Sequence, residues 1–424
     1  MFIKSTKNNP WQEGKATGEQ GISISLGARK QKIRGFGCCF SELSAEALNA
    51  LCEKDKDAIL DELFGAQGCD FTFCRTPMGA SDFATSFYSY NEENGDYEMK
   101  HFSVERDEKL LLPLIKEAIK RQDALQIFAS PWCPPLWLKT KRAYSFGVFD
   151  KTEEKLSAYA LYFRKYVEEY AKRGVKINFV TPQNEPCSNQ VFPSCVWTGK
   201  ELTEFVGGYL GKALEGTDTE IIFGTVNGPE TDGRYLWTRY CDYLGTAMQD
   251  KEARKYIKAV GYQWAGKYAL AQTRQDFPEL EIIQTESECG DGENTWAQMM
   301  YIFELMQNYF YHGASSYVYW NLALMKGQSS TWGWRQNSLV TVENGKATYT
   351  PEFYLMKHFS HFVKRGAYCL EVKGELSSCC VAFENPDGTR AVACYNPYST
   401  EKVITIEGKS YALESGSINT IVIE

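Results

Sequence analysis

Histidine is scarce in this sequence, basic residues are outnumbered by acidic ones, and no segment is long enough to span a bilayer. Only four histidines occur among 424 residues. His358 and His361 lie close together, but their short run contains no acidic residue or cysteine that would complete a zinc site. The net charge of −8 argues against nucleic acid or an anionic membrane as the main partner. We therefore expect no metal, no cofactor, no nucleic-acid partner and no membrane partner.

The cysteine pattern lacks the features of a disulfide framework or of a metal site. The 14 cysteines are scattered, include no C-x-x-C pair, and often stand in apolar runs. They are expected to be free, buried thiols in a reducing compartment. The first residues also lack the apolar core of a secretory signal. A cytoplasmic location is the expectation, or secretion if a signal was removed, and the oligomeric state is left open.

Aromatic residues, by contrast, are plentiful. They make up 14% of the chain, with 10 Trp and 26 Tyr, and hydrophobic residues as a whole reach 43%. Such a composition indicates a large core, and some of the rings are expected to form faces on which sugars stack. The length exceeds the roughly 250 residues of a bare (β/α)₈ barrel, so a barrel with a smaller second module is the first hypothesis.

Strand-like and helix-like segments alternate through most of the chain. The eight strand-like runs cover 34–40, 71–75, 125–129, 177–180, 221–226, 259–264, 282–285 and 317–320. The helices are predicted at about 44–64, 105–121, 153–173, 200–214 and 295–311. This alternation predicts parallel strands with right-handed crossovers, and eight units predict a closed α/β TIM barrel. An open doubly wound sheet is the alternative, but no G-x-G-x-x-G follows the first run.

The two ends of the chain have a sequence pattern that differs from the strand–helix alternation between them. Residues 1–33 read as a polar lead with strands, and short strands joined by turn residues follow position 360. Both ends need partners, so we predict one small β-sandwich built from them. The predicted division is 1–33 for N-terminal strands of the sandwich, 34–358 for the catalytic barrel and 359–424 for the rest of the sandwich.

Two glutamates stand where predicted barrel strands end. Glu185 lies in the turn after the fourth run, and Glu286 comes directly off the seventh. Active sites of such barrels lie at the C-terminal ends of the strands. A retaining glycosidase needs two carboxyl groups about 5–5.5 Å apart. The plain alternative is that they are ordinary loop acids, since the chain has 54 acidic residues. Glu288 is a second carboxylate near the seventh run, but it precedes a turn and should be held less rigidly.

Several short motifs then occur in order along the chain. They are Gly35-Phe36-Gly37, Arg75-Thr76-Pro77-Met78 with Ser81-Asp82-Phe83, Ala129-Ser130-Pro131-Trp132, Gln183-Asn184-Glu185-Pro186, Thr285-Glu286 and Trp320-Asn321-Leu322-Ala323-Leu324. With them the sequence resembles glycoside hydrolase family 30, the family of lysosomal glucosylceramidase and of bacterial and fungal β-glycanases. The resemblance implies a (β/α)₈ barrel fused to a β-sandwich and a retaining mechanism.

The resemblance also implies roles for individual residues. Glu185 would be the acid/base and Glu286 the nucleophile. Asn184 would hydrogen-bond the sugar 2-hydroxyl, and Arg75 would lie below the glutamates and keep the nucleophile ionised, although a purely structural ion pair is an equal alternative. The remaining substrate-binding candidates are Asp82, Trp132, Trp320, Asn321 and, on the aromatic rim at 329–337, Trp334.

One segment departs from the family pattern. The glucosylceramidase-type sequence reads His-Trp-Tyr after the sixth strand, whereas this chain reads Gln263-Trp264-Ala265. The tyrosine that would touch the nucleophile is therefore absent, and Tyr262 is expected to replace it in part.

The sequence as a whole predicts a retaining β-glycosidase acting on β-glucosides such as β-1,6-glucan or glucosylceramide-like compounds. A β-xylosidase or xylanase of the same family is the alternative within this class. A catalytically silent carbohydrate-binding barrel is the alternative outside it. The presence of both glutamates speaks against that last interpretation.

Overall fold

Two ten-stranded sheets organise the part of the chain that the computed structural model describes, residues 1–228 and 239–424. One sheet contains the barrel. Its eight parallel strands are Gly35–Cys39, Phe73–Pro77, Gln126–Ser130, Phe179–Val180, Glu220–Val226, Ile257–Gln263, Glu281–Glu286 and Ser316–Met325. Each is almost wholly buried, which is why these strands read as continuous apolar runs rather than as alternating patterns.

The strands form a closed ring. Neighbours in sequence pair in parallel from the first strand to the seventh, and the eighth pairs in parallel with the first. The seventh and eighth meet through a bridge between Ile282 and Ala314 and through the Ser315 amide, which donates to the Ile282 carbonyl at 2.8 Å. The barrel that the sequence predicted is confirmed.

Helices pack around this ring and leave its ends open. They are Glu42–Asn49, Glu53–Phe64, Leu111–Arg121, Glu153–Lys172, Gly199–Phe205, Gly211–Leu214, Leu244–Gln249, Lys251–Tyr256, Leu270–Asp276, Trp296–Tyr311 and Pro351–Ser360, with a π-helical turn at Val206–Leu210. Several begin at a threonine whose side chain accepts from the backbone, as Thr198 does in a capping box with Glu201. No helix in the described ranges is long and apolar enough to cross a membrane.

Two predicted helices are interrupted near their start. The helix predicted over 44–64 is two helices, because the chain turns at Cys52, whose backbone is extended. The helix predicted over 105–121 begins as a 3₁₀ turn at Glu105–Glu108 and continues as an α-helix only from Leu111. Both breaks leave the strand order unchanged.

A layer of apolar side chains fills the lower barrel. It is formed by Phe73, Phe128, Phe179, Ile222, Ala259, Ile283 and Val318. The guanidinium of Arg34 lies 4.8 Å from the centre of the Phe179 ring and pairs with Glu281, which caps this layer from below. The barrel interior is therefore a packed core.

The other sheet is built from both ends of the chain. Its strands are Phe2–Ser5, Gln12–Glu13, Ala16–Thr17, Ile22–Lys32, Tyr368–Lys373, Cys380–Glu384, Arg390–Tyr395, Lys402–Ile406, Lys409–Leu413 and Ile418–Ile423. Phe2 pairs with Ile421, and Ile22 with Ile404. The expected β-sandwich from both chain ends is thus confirmed as part of the fold class. The helix Pro351–Ser360 runs across the boundary predicted at 358/359.

His358 lies at the junction between barrel and sandwich. Its ring nitrogens lie 2.8 Å from the hydroxyl of Ser5 and 2.9 Å from that of Thr420, so it touches strands from both chain ends. Burial lowers its pKa to about 3, which keeps the ring neutral. The histidine therefore serves the packing of the two modules.

Candidate active site

A cavity of about 470 Å³ opens at the C-terminal mouth of the barrel. Seven of the nine predicted site residues line it, namely Asp82, Trp132, Asn184, Glu185, Glu286, Trp320 and Trp334. They come from six different strand ends and loops, so the fold brings together residues up to 252 positions apart, from 82 to 334. Among the described residues, no group of three or more His, Cys, Asp or Glu side chains has the arrangement of a metal site.

Glu185 is held by a strained turn. Its backbone has a φ of 46°, in the left-handed region that side chains other than glycine rarely adopt. Its amide donates to the Thr225 carbonyl at 3.1 Å, and the neighbouring Asn184 amide donates to the Pro131 carbonyl at 2.8 Å. A residue in this conformation costs on the order of 1–3 kcal/mol, and the flanking strands supply the contacts that hold it.

Glu286 is the last residue of its strand and is only 8% exposed. Its Oε2 atom accepts from Arg75 Nη1 at 2.5 Å and from Gln263 Nε2 at 2.7 Å. Arg75 is fully buried on the second barrel strand. A cation and an amide donor thus face one oxygen of this carboxylate.

Asn184 is oriented by three donors. Its Oδ1 accepts from Arg75 Nη2 at 2.6 Å, from Thr225 Oγ1 at 3.0 Å and from Gln263 Nε2 at 3.0 Å. Because a guanidinium can only donate, the oxygen of Asn184 must face Arg75. Asn184 lines the cavity, so its Nδ2 group is the part that a ligand can reach.

The two glutamates differ in charge state. Burial, and then the negative charge of Glu286, raise the pKa of Glu185 to about 8. Burial also raises the pKa of Glu286, but the charge and hydrogen bond of Arg75 and the hydrogen bond of Gln263 lower it. Glu185 Oε2 is buried without a hydrogen-bond partner in the described part of the chain. Glu286 therefore loses its proton first.

A third carboxyl group lines the same cavity. Burial and the charge of Glu286 raise the pKa of Asp82 to about 7. The Asp82 carbonyl accepts from the amide of Thr331 at 2.9 Å, which fastens the 329–337 segment to the second barrel loop.

Aromatic rings form the walls. Trp132 and Trp320 lie with ring centroids 5.5 Å apart, and the Arg75 guanidinium carbon is 4.5 Å from the Trp132 ring centre. Trp320 Nε1 donates to Gln336 Oε1 at 2.8 Å. Trp334 also lines the cavity and packs against the cluster that contains Trp132 and Trp320, so the predicted rim does contribute a ring to this space.

A buried lysine organises the wall that carries Phe192. Lys139 Nζ donates to the carbonyl oxygens of Ala143 at 2.7 Å, Phe146 at 2.6 Å and Ser194 at 2.7 Å. These acceptors belong to two loops, so one ammonium group ties both together. Phe192, on the second loop, lines the cavity.

Asn321, Tyr262 and Glu288 lie outside the cavity lining. Asn321 does not line the cavity; its Nδ2 donates to the Asn337 carbonyl at 3.1 Å, behind the wall.

The expectation for Tyr262 is wrong: its side chain points away from the nucleophile, and its hydroxyl meets Thr273 Oγ1 at 2.7 Å. Side chains alternate along a strand, so the next residue points inward instead. Glu288 is half-buried and hydrogen-bonds Gln298, away from the cavity.

Sequence reasoning missed several residues of the site. Gln190, Phe192 and Gln336 line the cavity, and Thr225 and Gln263 hold Asn184. Only the stretch beginning at Gln263 carried a signal, because it departs from the family pattern. Gln190, Phe192 and Gln336 lie in loops, and Thr225 lies on the strand Glu220–Val226, whose apolar run did not mark it as a site residue.

Comparison with protein-family models supports the same assignment for nearly the whole chain. The model of the glycosyl hydrolase family 30 TIM-barrel domain matches residues 33–363, and the model of the family 30 beta sandwich domain matches residues 366–421.

Similarity to curated proteins and to solved structures also extends over most of the chain. The chain is 28% identical to the lysosomal acid glucosylceramidase of Mus musculus, over 91% of this chain and 79% of the relative. It is also 28% identical to an endo-1,6-beta-D-glucanase of Neurospora crassa, over 95% of this chain and 86% of the relative. The crystal structure of SrfJ from Salmonella typhimurium superposes with a TM-score of 0.88 at 25% identity, covering 100% of this chain and 99% of that one. Because the barrel model alone matches more than half of its length, the chain belongs to glycosyl hydrolase family 30 and is an O-glycosyl hydrolase.

Proposed function

We propose that this enzyme is a retaining β-glycoside hydrolase in which Glu286 is the nucleophile and Glu185 the acid/base. The observation that carries the proposal is the unequal setting of the two carboxyl groups. Glu286 contacts Arg75 and Gln263, whereas the pKa of Glu185 is raised to about 8 by burial and by the charge of Glu286. At neutral pH Glu286 is therefore the carboxylate and Glu185 the carboxylic acid of the pair that glycoside cleavage with retention requires.

In the first step, a carboxylate oxygen of Glu286 bonds to the anomeric carbon while the bond to the leaving oxygen breaks. Glu185 gives its proton to that oxygen, so the leaving group departs as an alcohol. The product of this step is a covalent glycosyl ester on Glu286. General acid catalysis of this kind contributes about 10²- to 10⁴-fold.

In the second step, water attacks the anomeric carbon, gives a proton to Glu185 and releases the Glu286 carboxylate. The loss of charge at Glu286 assists the change of Glu185 from acid to base. Esterification removes the negative charge of Glu286, which is one cause of the raised pKa of Glu185. The pKa of Glu185 therefore falls in the intermediate, and Glu185 becomes ionised when a base is needed.

The other cavity residues are proposed to hold the sugar. Asn184 presents its Nδ2 group, which suits a hydrogen bond to the 2-hydroxyl. Trp132 and Trp320 offer apolar faces for the sugar ring. Asp82 offers a carboxyl group that can hydrogen-bond other hydroxyls of the sugar, and Trp334 borders the entrance of the cavity. Arg75 contacts no substrate in this proposal; it holds Glu286 and Asn184 in register.

For the substrate, we propose β-glucosides, either β-1,6-linked glucan or glucosylceramide-like compounds. Support comes from the relatives that match over most of the chain, which are named as glucosylceramidases and endo-1,6-beta-D-glucanases. Xylanases occur among the similar solved structures, but at 18–19% identity these speak for the fold alone.

A two-part experiment tests the proposal. Hydrolysis of an aryl β-glucoside, β-xyloside, β-galactoside and β-fucoside is measured beside β-1,6-glucan, and ¹H NMR follows the anomer that forms first. We expect the β-glucoside and the glucan to be preferred, with the β-anomer as first product. An α-anomer, or a carboxyl separation near 9 Å in a crystal structure instead of about 5–5.5 Å, would overturn retention.

A further inference from the structure

The strand that carries Gln263 has an irregularity at its end. Tyr262 pairs with Gln284 on the neighbouring strand, but Gln263 pairs with Glu286, so the register shifts by one residue between them. The shift brings the Gln263 side chain opposite the glutamate that closes the next strand. Gln263 is fully buried, and the hydroxyl of Tyr309 donates to its carbonyl oxygen, which fixes its backbone.

The direction of the Gln263 amide follows from its neighbours. Arg75 can only donate, so it fixes Asn184 Oδ1 as an acceptor. An acceptor on Asn184 and a carboxylate on Glu286 both require a donor from Gln263. The side chain must therefore present Nε2, which reaches Glu286 Oε2 at 2.7 Å and Asn184 Oδ1 at 3.0 Å. Reversing the amide would place the Gln263 side-chain oxygen against the oxygens of both Glu286 and Asn184.

We propose that Gln263 is a positioning residue that joins the nucleophile and the 2-hydroxyl recognition group into one unit through the two hydrogens of a single amide nitrogen. This inference rests on the proposed roles of Glu286 and Asn184. The unit has a property that the histidine of the glucosylceramidase-type pattern does not share: an amide has no proton to lose or gain between pH 3 and 10. The donor to Glu286 therefore persists over the whole working range.

The groups facing Glu286 must be counted before a pH test is designed. Arg75 lies on the second barrel strand, Asp82 and Glu185 reach over from the loops after the second and fourth, and the thiols of Cys39 and Cys289 lie close by. Burial raises the pKa of both thiols well above the usual range, so neither titrates near neutral pH. The pKa values of Asp82 and Glu185 are raised to about 7 and about 8, so a change in activity below that range on altering Gln263 alone reports on Glu286.

Two readouts separate positioning from packing. The first is the rate constant for covalent trapping by a 2-fluoro glycoside, which depends on the nucleophile and needs no 2-hydroxyl. The second is the preference for an aryl glycoside over its 2-deoxy analogue, which depends on Asn184. In Gln263→Met, a variant of similar volume without a donor, we expect trapping to slow about 10- to 100-fold, since a hydrogen bond to a charged group is lost. We also expect the preference for the 2-hydroxyl to fall at least about threefold.

Gln263→Glu is the isosteric companion. Its carboxylate cannot donate once ionised and repels Glu286, so activity should be confined to lower pH, with a new basic limb below that of Glu185. This variant keeps the test decisive if Gln263→Met does not fold. An unchanged pH profile together with trapping within about twofold of the wild type would overturn the proposal and leave Gln263 a packing residue.

Gln284 supplies the matched control. It is equally buried on the adjacent strand, and its Oε1 accepts from the Val318 amide at 2.7 Å instead of contacting a site carboxylate. Gln284→Met should lower thermal stability without changing the acidic limb or the preference for the 2-hydroxyl. Wild-type enzyme is labelled first: label that is not on Glu286 would refute the proposed function itself, independently of any result with Gln263.

Discussion

The surroundings of Glu286 and of Glu185 form opposite halves of one cavity. Glu286 ends a barrel strand, so the sheet ladder fixes its backbone, and donors from two other strands, on Arg75 and Gln263, fix its carboxylate. Glu185 lies beyond its strand in a left-handed turn, and one of its oxygens is buried without a partner in the described ranges. The nucleophile half is rigid and rich in donors, whereas the acid/base half holds its carboxyl group by fewer hydrogen bonds.

The difference follows from what each step needs. A nucleophile must stay ionised and within near-attack distance, which favours a fixed carboxylate beside a cation. An acid/base must hold and release a proton within each cycle. Donors that stabilised its anion would lower its pKa and remove the proton it has to give. A low density of partners around Glu185 is therefore part of its proposed function.

The largest expected effect comes from the rigid half. Glu286→Gln should reduce kcat at least about 10⁴-fold, because no atom is left to form the covalent intermediate. Glu288→Gln is the matched control, since Glu288 is two residues away and bonds Gln298 outside the cavity; it should keep measurable activity. A fluorinated glycoside trap followed by peptide mass spectrometry locates the label. Label on Glu288, or full activity in Glu286→Gln, would reverse the assignment.

The acid/base half should respond according to the leaving group. Glu185→Gln should slow substrates with poor leaving groups about 10²- to 10⁴-fold, because these need the proton. An activated aryl glycoside, whose leaving group departs as an anion, should form the glycosyl-enzyme at a nearly normal rate. The measurement is a plot of log kcat/KM against leaving-group pKa for both proteins. Equal slopes for wild type and variant would contradict the role of Glu185.

The support beneath the nucleophile should have a smaller effect on rate and a clear effect on stability. Arg75→Lys keeps the charge but loses the fork that reaches Glu286 and Asn184 together, so kcat/KM should fall about 10- to 100-fold. Arg75→Met leaves Glu286 buried without its cation and should cost about 3–5 kcal/mol of unfolding free energy at neutral pH.

The pH dependence of the unfolding free energy lost in Arg75→Met tests whether an uncompensated charge on Glu286 causes the loss. Without Arg75, the folded-state pKa of Glu286 rises further above its unfolded value. A carboxyl group whose pKa is higher in the folded than in the unfolded state stabilises the folded protein at pH values below its unfolded-state pKa. That stabilisation is lost as the pH rises through the folded-state pKa. The deficit of Arg75→Met against wild type should therefore shrink on acidification, as measured by denaturant unfolding at pH 4.5 and pH 7. A deficit that does not change with pH would mean that packing alone is lost.

Both glutamates of the cavity were predicted from the sequence, but Gln263, which supports Glu286, was not. Barrel strands buried on both faces read as apolar runs, and a glutamate that directly follows such a run, as Glu286 does, stands out. The hairpin of Ser338–Glu343 and Lys346–Tyr349 was not predicted, because it follows the rim segment without a periodic signal of its own.

What the sequence could not provide is side-chain direction near irregular backbone. Gln263 reaches Glu286 through a register shift that no local pattern announces, and strand alternation turns Tyr262 away from the site. Lys139 finds an acceptor at Ser194, 55 positions away, and such a contact depends on how two loops fold together. These residues shape the site through tertiary contacts rather than through motif or period.

The smallest expected effect addresses the coupling between the two halves. Burial is the main cause of the raised pKa of Glu185, and the charge of Glu286 is the second. Glu286→Gln removes that charge and changes the volume little, so the pKa of Glu185 should fall from about 8 but stay above the ordinary value for a glutamate, because burial persists. The measurement is a ¹³C NMR titration of the Glu185 carboxyl carbon, with Glu288→Gln as a charge-removing control that should leave the pKa of Glu185 unchanged. A pKa that stayed near 8 in Glu286→Gln would mean that desolvation alone holds the proton. The switch of Glu185 from acid to base would then need a cause other than loss of the Glu286 charge on esterification. A pKa that fell all the way to the ordinary value would instead assign the whole shift to Glu286 and leave no contribution from burial.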